Sequence, residues 1–210
     1  MTDMRRSGRV FAGAIAALGL VSLVAQAIVL VWKGREMGLG TIASLWWFLG
    51  YFTILTNITI VAIMARIAFG HAAKAGILAS LTVCIALVGA VYHLLLSGLW
   101  NPVGLHWWAD QGLHTAMPLL TFAFWLRFSP KAGLAYADVA RWLAFPVGYA
   151  FYAQIRGKLE GWYPYPFLDA KTLGYGQVAI NSAVIGFFFA LACLGMVALA
   201  KRLEARLPSP

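Results

Sequence analysis

The sequence predicts an all-α, polytopic membrane protein: one domain over residues 1–210, built as a bundle of six transmembrane helices. The chain is 62% hydrophobic and only 11% charged, whereas a soluble domain carries roughly a quarter charged residues. Its apolar residues gather into six stretches, each close to the ~20 residues that a helix needs to cross a bilayer. Cys84 and Cys193 lie inside such stretches, as is typical of small hydrophobic side chains rather than a disulfide or a metal site.

The six predicted spans follow one another with short connections. The first is an apolar run too long for the h-region of an ordinary signal peptide, so we expect it to remain as a helix. The second and third are also long apolar runs. The fourth and fifth each contain polar residues and a proline, which a membrane helix tolerates where neighbouring groups satisfy the freed carbonyl. The predicted spans are about 10–32, 42–65, 75–99, 107–126, 139–155 and 175–199.

Basic residues predict the orientation, with both termini in the cytoplasm. Cytoplasmic segments carry an excess of Lys and Arg. With both termini inside, the inner set is Arg5, Arg6, Arg9, Arg66, Lys74, Arg127, Lys131, Arg141, Lys201, Arg202 and Arg206. The outer set is smaller: Lys33, Arg35, Arg156, Lys158 and Lys171. The net charge of +9 therefore indicates topology and contacts with anionic lipid headgroups, not nucleic-acid binding.

In this topology the uncommon polar side chains share one depth, the outer-leaflet half of the bundle. The stretch FTILTN places Thr53, Thr56 and Asn57 at i, i+3 and i+4, on one helix face. Scattered polar residues have no reason to agree in depth, so the pattern predicts a shared site. The other candidates are His93, Asp110, His114 and Asn181, with Tyr165 and Asp169 of the loop GWYPYPFLD.

Asp110 and His114 lie four residues apart on one helix face and can interact. A carboxylate beside an imidazole fixes its tautomer, and an imidazole within reach of a threonine hydroxyl is a nucleophile–base arrangement. Asp110 would then be the third, orienting member. The purely structural alternatives are a threonine that bonds back to the carbonyl one turn earlier and asparagines that join helices.

Three motifs resemble the androgen-induced membrane proteins, the family that includes the androgen-dependent regulator of tissue factor pathway inhibitor. They are LTN in the second span, DQGLHTAMP opening the fourth, and GWYPYPFLD before the sixth. Bacterial six-span relatives look closer still, which implies a bacterial inner membrane as the location. The resemblance implies a six-span threonine hydrolase that cleaves fatty-acid esters of hydroxy fatty acids with one threonine and one histidine inside the membrane.

Carried over by residue, the resemblance implies that His114 is the family histidine. The nucleophile most resembles Thr56, from the local Leu-Thr pair, and Thr53 is the alternative. The chain departs from the family at Asp110, where the family has Asn, and at Gln111, where it has His. These departures leave open the third catalytic role and the substrate.

The sequence thus predicts an intramembrane lipid-ester hydrolase that needs no metal or organic cofactor. Thr56 or Thr53 would attack the acyl carbonyl, His114 would act as base, and Asn57, Asn181 or His93 would hold the oxyanion. One alternative is a carrier of haem or quinone ligated by His93 and His114. Another is a non-enzymatic scaffold. The last is a transporter, although neither inverted repeats nor mid-helix breaks are evident in the sequence. The oligomeric state is left open.

Overall fold

The computed structural model describes residues 6–206, which contain helices and no strand. Arg5, one of the basic residues behind the predicted orientation, lies outside the described residues. The chain divides into two compact units, of which the first ends at Pro130 and the second begins at Lys131.

The first unit is organised around its first helix. That helix, α1, packs against α2, α3, α5 and α6, while α4 packs against α3 and α6. The helices of this unit are α1 (Arg6–Glu36), α2 (Thr41–Phe48), α3 (Phe52–Ala68), α4 (Ala75–Val91), α5 (Leu105–Gln111) and α6 (Met117–Phe128).

The second predicted span is broken. Helices α2 and α3 meet at an angle of 81° across the short segment Leu49–Tyr51, so the expectation of no mid-helix break was wrong. Because α3 restarts at Phe52, the polar face of FTILTN lies in its first two turns.

Two π turns interrupt the helical pattern of the first unit. One, Tyr92–Leu96, extends α4; the other, Gly112–Ala116, joins α5 to α6. The second has a local cause, because Pro118 has no N–H to donate to the carbonyl four residues earlier, that of His114. Single π turns inside α-helices are frequent at functional sites, and here each contains a histidine.

Two glycines let helices approach these turns closely. A Cβ at Gly112 would lie 2.1 Å from Ser22 Oγ on α1. A Cβ at Gly89 would lie 3.1 Å from the carbonyl oxygen of His114, so α4 passes directly beside the second π turn. Both contacts depend on the missing side chain.

The second unit consists of α7 (Asp138–Glu160) and α8 (Ala170–Glu204), which pack together, with a 3₁₀ turn, Pro166–Leu168, between them. Pro146 lies inside α7 without ending it. Gly161 ends α7 in the left-handed conformation, with φ of 70°. Gly174, with φ of 76°, interrupts the first turns of α8.

Three helical segments are long and apolar enough to cross a membrane: α1, α4 with its π turn, and α8. The bent pair of α2 and α3 makes a fourth if both parts belong to one span. The chain is therefore an all-helical protein with three or four candidate membrane-spanning helices, which is consistent with a membrane protein.

Candidate active site

The histidine of the second π turn has a defined tautomer. His114 Nδ1 lies 3.0 Å from the backbone carbonyl oxygen of Asp110 and 3.3 Å from Asp110 Oδ1. A carbonyl oxygen only accepts hydrogen bonds, so Nδ1 must carry the proton. Nε2 has no hydrogen-bond partner among residues 6–206 and, in the neutral ring, holds the lone pair. His114 can therefore act as a base through Nε2.

Asp110 is buried, and Tyr92 provides its second side-chain partner. The Tyr92 hydroxyl donates to Asp110 Oδ2, and both residues are 3% exposed. The phenol ring also stacks on the imidazole of His114, with ring centroids 4.0 Å apart and planes inclined by 14°. The three side chains form one cluster, in which Tyr92 and Asp110 are buried and His114 is partly buried. The sequence analysis missed Tyr92, although the YH pair at the end of an apolar run was a signal.

The predicted nucleophile lies on α3. Thr56 is 0% exposed, and its hydroxyl has no hydrogen-bond partner within the described part of the chain. Asn57 is equally buried; its Nδ2 donates to the Thr53 carbonyl oxygen at 2.8 Å, while its Oδ1 is unsatisfied in the same part of the chain. Thr53 is also buried. A buried polar atom without a partner is costly, so each such atom requires an explanation.

Other helical threonines follow the purely structural alternative. Thr59 donates to the Leu55 carbonyl oxygen at 2.8 Å, and Thr82 donates to that of Leu78 at 2.7 Å. Both bonds reach back one turn, as expected for threonines that only satisfy their own hydroxyl. The Thr56 hydroxyl makes no such bond. Thr121 of α6 is like Thr56: it is buried, and its hydroxyl has no hydrogen-bond partner among residues 6–206. The sequence analysis missed Thr121.

Apolar packing joins the FTILTN helix to the histidine turn. Leu23, Phe48, Ile54 and Leu113 form a buried cluster that connects α1, α2, α3 and the second π turn. Ile54 lies between the two candidate threonines in sequence, and Leu113 precedes His114. The structure thus brings the two motifs into one packed region. Thr56 Oγ1 and His114 Nε2 make no hydrogen bond to each other, although catalytic bonds often tighten only with substrate bound.

His93, predicted as an oxyanion donor or a cofactor ligand, contacts a threonine of the second π turn. Its Nε2 lies 3.1 Å from Thr115 Oγ1, whose hydroxyl donates to Gln111 Oε1 at 2.9 Å. Since the single hydroxyl proton is used on Gln111, His93 Nε2 donates to Thr115, given this assignment of the Gln111 amide. His93 is exposed.

His106 adds an electrostatic neighbour at the start of α5. Burial first, and then the positive charge of Lys33, lower the pKa of His106. The carboxylate of Asp110 opposes this shift, and His114 contributes to it. His106 is therefore expected to be neutral at physiological pH and to add little positive charge near Asp110.

The remaining predicted residues lie in the second unit, where they organise the loop between α7 and α8. Asn181 Nδ2 donates to the Phe167 carbonyl oxygen at 3.0 Å. Tyr165 stacks on Phe167, with centroids 5.2 Å apart. Asp169 caps α8 by accepting from the backbone N–H groups of Lys171 and Thr172 and from the Thr172 hydroxyl. That hydroxyl bond, followed by the backbone bonds, lowers the pKa of Asp169.

Within the described residues, no group of three or more His, Cys, Asp or Glu side chains is placed to hold a metal ion. No family model, curated protein or solved structure matches this chain.

Proposed function

We propose that this chain is a lipid-ester hydrolase that acts inside the membrane, with a threonine nucleophile and His114 as the base. One observation carries the proposal: the Asp110 carbonyl fixes the proton of His114 on Nδ1 and leaves the Nε2 lone pair available. A base with a fixed tautomer, held by a buried carboxylate, is what activation of a hydroxyl nucleophile requires.

Thr56 is the proposed nucleophile, and Thr53 is the alternative. The hydroxyl of Thr56 is buried without the back-bond that Thr59 and Thr82 make. In the reaction, Thr56 Oγ1 attacks the acyl carbonyl while its proton passes to His114 Nε2. The proton then passes to the departing alkoxide, and water hydrolyses the acyl-threonine by the same route. Asn57 Nδ2, which has a second N–H, is the proposed donor to the oxyanion, whereas the proton of His93 Nε2 is donated to Thr115.

The proposed setting is a bacterial inner membrane crossed six times, with both termini in the cytoplasm and the site in the outer-leaflet half. The order of the helical stretches supports it: α1, α2 with α3, α4, α5 with α6, α7 and α8 follow the six predicted spans. An acyl chain would enter from the lipid, since the reacting groups lie on helices of the bundle.

The resemblance of LTN, DQGLHTAMP and GWYPYPFLD to the androgen-induced family supports the same class of substrate. That class is a long-chain carboxylic ester, with fatty-acid esters of hydroxy fatty acids as the first compounds to test. No cofactor enters the proposed reaction.

The test is labelling of the purified protein with a fluorophosphonate probe, together with hydrolysis of a long-chain ester in detergent micelles. We expect Thr56→Ala and His114→Ala to lose both signals. If Thr56→Ala remains active, loss of both signals in Thr53→Ala or in Thr121→Val identifies the nucleophile instead. Equal hydrolysis in the wild type and in all of these variants would refute the proposal.

Matched controls separate loss of chemistry from loss of folding. Thr82→Ala removes a buried threonine hydroxyl that already has a partner, and His71→Ala removes an exposed imidazole. Both are expected to retain labelling and hydrolysis. Thermal unfolding in detergent shows which variants are folded.

The bend between α2 and α3 favours transport as a second candidate function. Transporters bind their substrates at helices that are broken within the membrane, and this break of 81° directly precedes the polar face of α3. Uptake of a labelled fatty acid into proteoliposomes, in the absence of ester hydrolysis, would favour this candidate.

A further inference from the structure

We propose that Tyr92 is the positioning residue of the candidate active site, because it holds both Asp110 and the imidazole of His114. The inference deepens the proposed hydrolase and rests on that function for its kinetic part only. Tyr92 is not expected to touch the substrate carbonyl; it acts through the two residues that it contacts.

The hydroxyl of Tyr92 fixes the carboxylate of Asp110. A carboxylate can rotate about its last bond, so one partner alone does not determine its plane. Here Oδ2 accepts from the Tyr92 hydroxyl while Oδ1 lies 3.3 Å from His114 Nδ1. With each oxygen assigned to a different partner, the carboxylate remains turned towards the imidazole. A hydrogen bond to an ionised group is roughly twice as strong as a neutral one.

The ring of Tyr92 fixes the plane of the imidazole. The two rings are nearly parallel, with centroids 4.0 Å apart, and His93 meets the same phenol ring edge-on at 5.0 Å. Rotation of the His114 ring about its own axis would break this stacking and both contacts of Nδ1. The Tyr92 side chain therefore restrains Asp110 and His114 together.

The backbone explains why Tyr92 reaches this position. Gly89 lies one turn before Tyr92 on α4, and its missing side chain lets α4 approach the His114 carbonyl. The π turn that begins at Tyr92 then faces the π turn that contains His114. The contact thus depends on an irregular helical turn on each side.

The experiment is ¹⁵N NMR of protein labelled at its histidines and held in lipid nanodiscs, because the ring nitrogen shifts distinguish the two tautomers. The chain has four histidines, and the spectrum of His114→Ala assigns the signal of His114. In the wild type we expect the tautomer with the proton on Nδ1.

Tyr92→Phe keeps the ring and removes the hydroxyl. We expect the His114 ring nitrogen signals of this variant to shift and broaden, because Asp110 Oδ2 loses its partner and the imidazole is held less firmly, while the backbone carbonyl of Asp110 keeps the proton on Nδ1. Tyr92→Leu also removes the stacking, so we expect a larger change. The matched control is Tyr136→Phe, in which the same hydroxyl is deleted from an exposed tyrosine; its His114 signal should equal that of the wild type.

Asp110→Asn tests whether Tyr92 acts through Asp110, and it provides a second variant if Tyr92→Leu does not fold. The double variant of Asp110→Asn and Tyr92→Phe should change the His114 signal no more than Asp110→Asn alone. Additive changes would show that Tyr92 and Asp110 act independently and would overturn the inference.

Kinetics give the second measurement. Tyr92→Phe should lower kcat for ester hydrolysis on the order of tenfold, with KM changed less than about twofold, since positioning affects the transition state rather than binding. A wild-type His114 signal in Tyr92→Phe overturns the inference whatever the activity. Absence of hydrolysis in the wild type refutes the proposed function instead, while the NMR measurement of the His114 ring still tests Tyr92.

Discussion

Gly112 lies so close to Ser22 that a Cβ on Gly112 would be 2.1 Å from Ser22 Oγ and 2.8 Å from Ser22 Cβ. The serine hydroxyl could rotate away, but its Cβ could not move without the backbone of α1. This contact therefore sets the distance between α1 and the π turn that contains His114.

Gly112→Ala should push α1 and the His114 turn apart. We expect the overpacking to lower the free energy of unfolding by about 1–3 kcal/mol and to reduce ester hydrolysis, because the His114 turn would shift. The measurement is thermal unfolding in detergent with a parallel hydrolysis assay. Ser22→Gly in the same chain should restore part of the stability. Gly98→Ala, with no atom within 4 Å of the added Cβ, is the control.

Thr56→Val should abolish ester hydrolysis without destabilising the protein. The valine keeps the shape of the side chain and removes a buried hydroxyl that has no partner among residues 6–206. We therefore expect the free energy of unfolding to stay equal or rise by about 1 kcal/mol, while ester hydrolysis is lost. A clear loss of stability would contradict this prediction, since it would mean that the hydroxyl is satisfied in the folded protein. Thr82→Val, which breaks the bond to Leu78, should destabilise slightly and retain hydrolysis.

Asn181→Ala should loosen the loop between α7 and α8. Two amides hold adjacent carbonyls of this loop: Asn181 donates to Phe167, and Gln154 donates to Leu168 at 2.8 Å. Loss of one such bond should cost about 1 kcal/mol and speed proteolytic cleavage between residues 161 and 169. Gln177→Ala removes only the other partner of Asn181 and should leave the cleavage rate near that of the wild type. Equal cleavage rates in wild type and Asn181→Ala would count against a structural role for this amide.

Lys131 should make stability depend on alkaline pH. Burial lowers the pKa of Lys131 to about 8, whereas the value in an unfolded chain is about 10.4. Between these values the unfolded chain binds more protons, so stability should rise as the pH increases from about 8 to about 10.4 and should not change with this group below about 7. Lys131→Met should abolish the rise in thermal unfolding scans, and the exposed Lys74→Met should retain it. A flat profile in the wild type would contradict the prediction.

Composition and hydropathy were sufficient to predict the helical class. They did not reveal the break at Leu49–Tyr51, because the residues around it are apolar on both sides and a bend leaves hydropathy unchanged. The π turns were also missed, since one extra residue in a turn has no compositional signal. Pro118 was the only local indication of the second one.

The site was predicted in part, for related reasons. The spacing of Asp110 and His114 was enough to expect their contact, because it lies within one helix. Tyr92 comes from another helix, and its contact with them depends on the irregular turns. Asp169 could have been recognised as a helix cap from its position just before the last apolar stretch, since Asp is a preferred N-cap residue.

Because Gly112–Ala116 form a π turn, the number of residues in this stretch affects the geometry of the turn that contains His114. A π turn accommodates one residue more than the α turn that it replaces. Deletion of a single residue here would let α5 and α6 join as one regular helix. The residues after the deletion would keep their faces, because the wider turn had absorbed about 100° of rotation, but the turn that contains His114 would narrow. In any related chain, a gap of one residue at this point would therefore mark a reorganised site even where every side chain discussed above is retained.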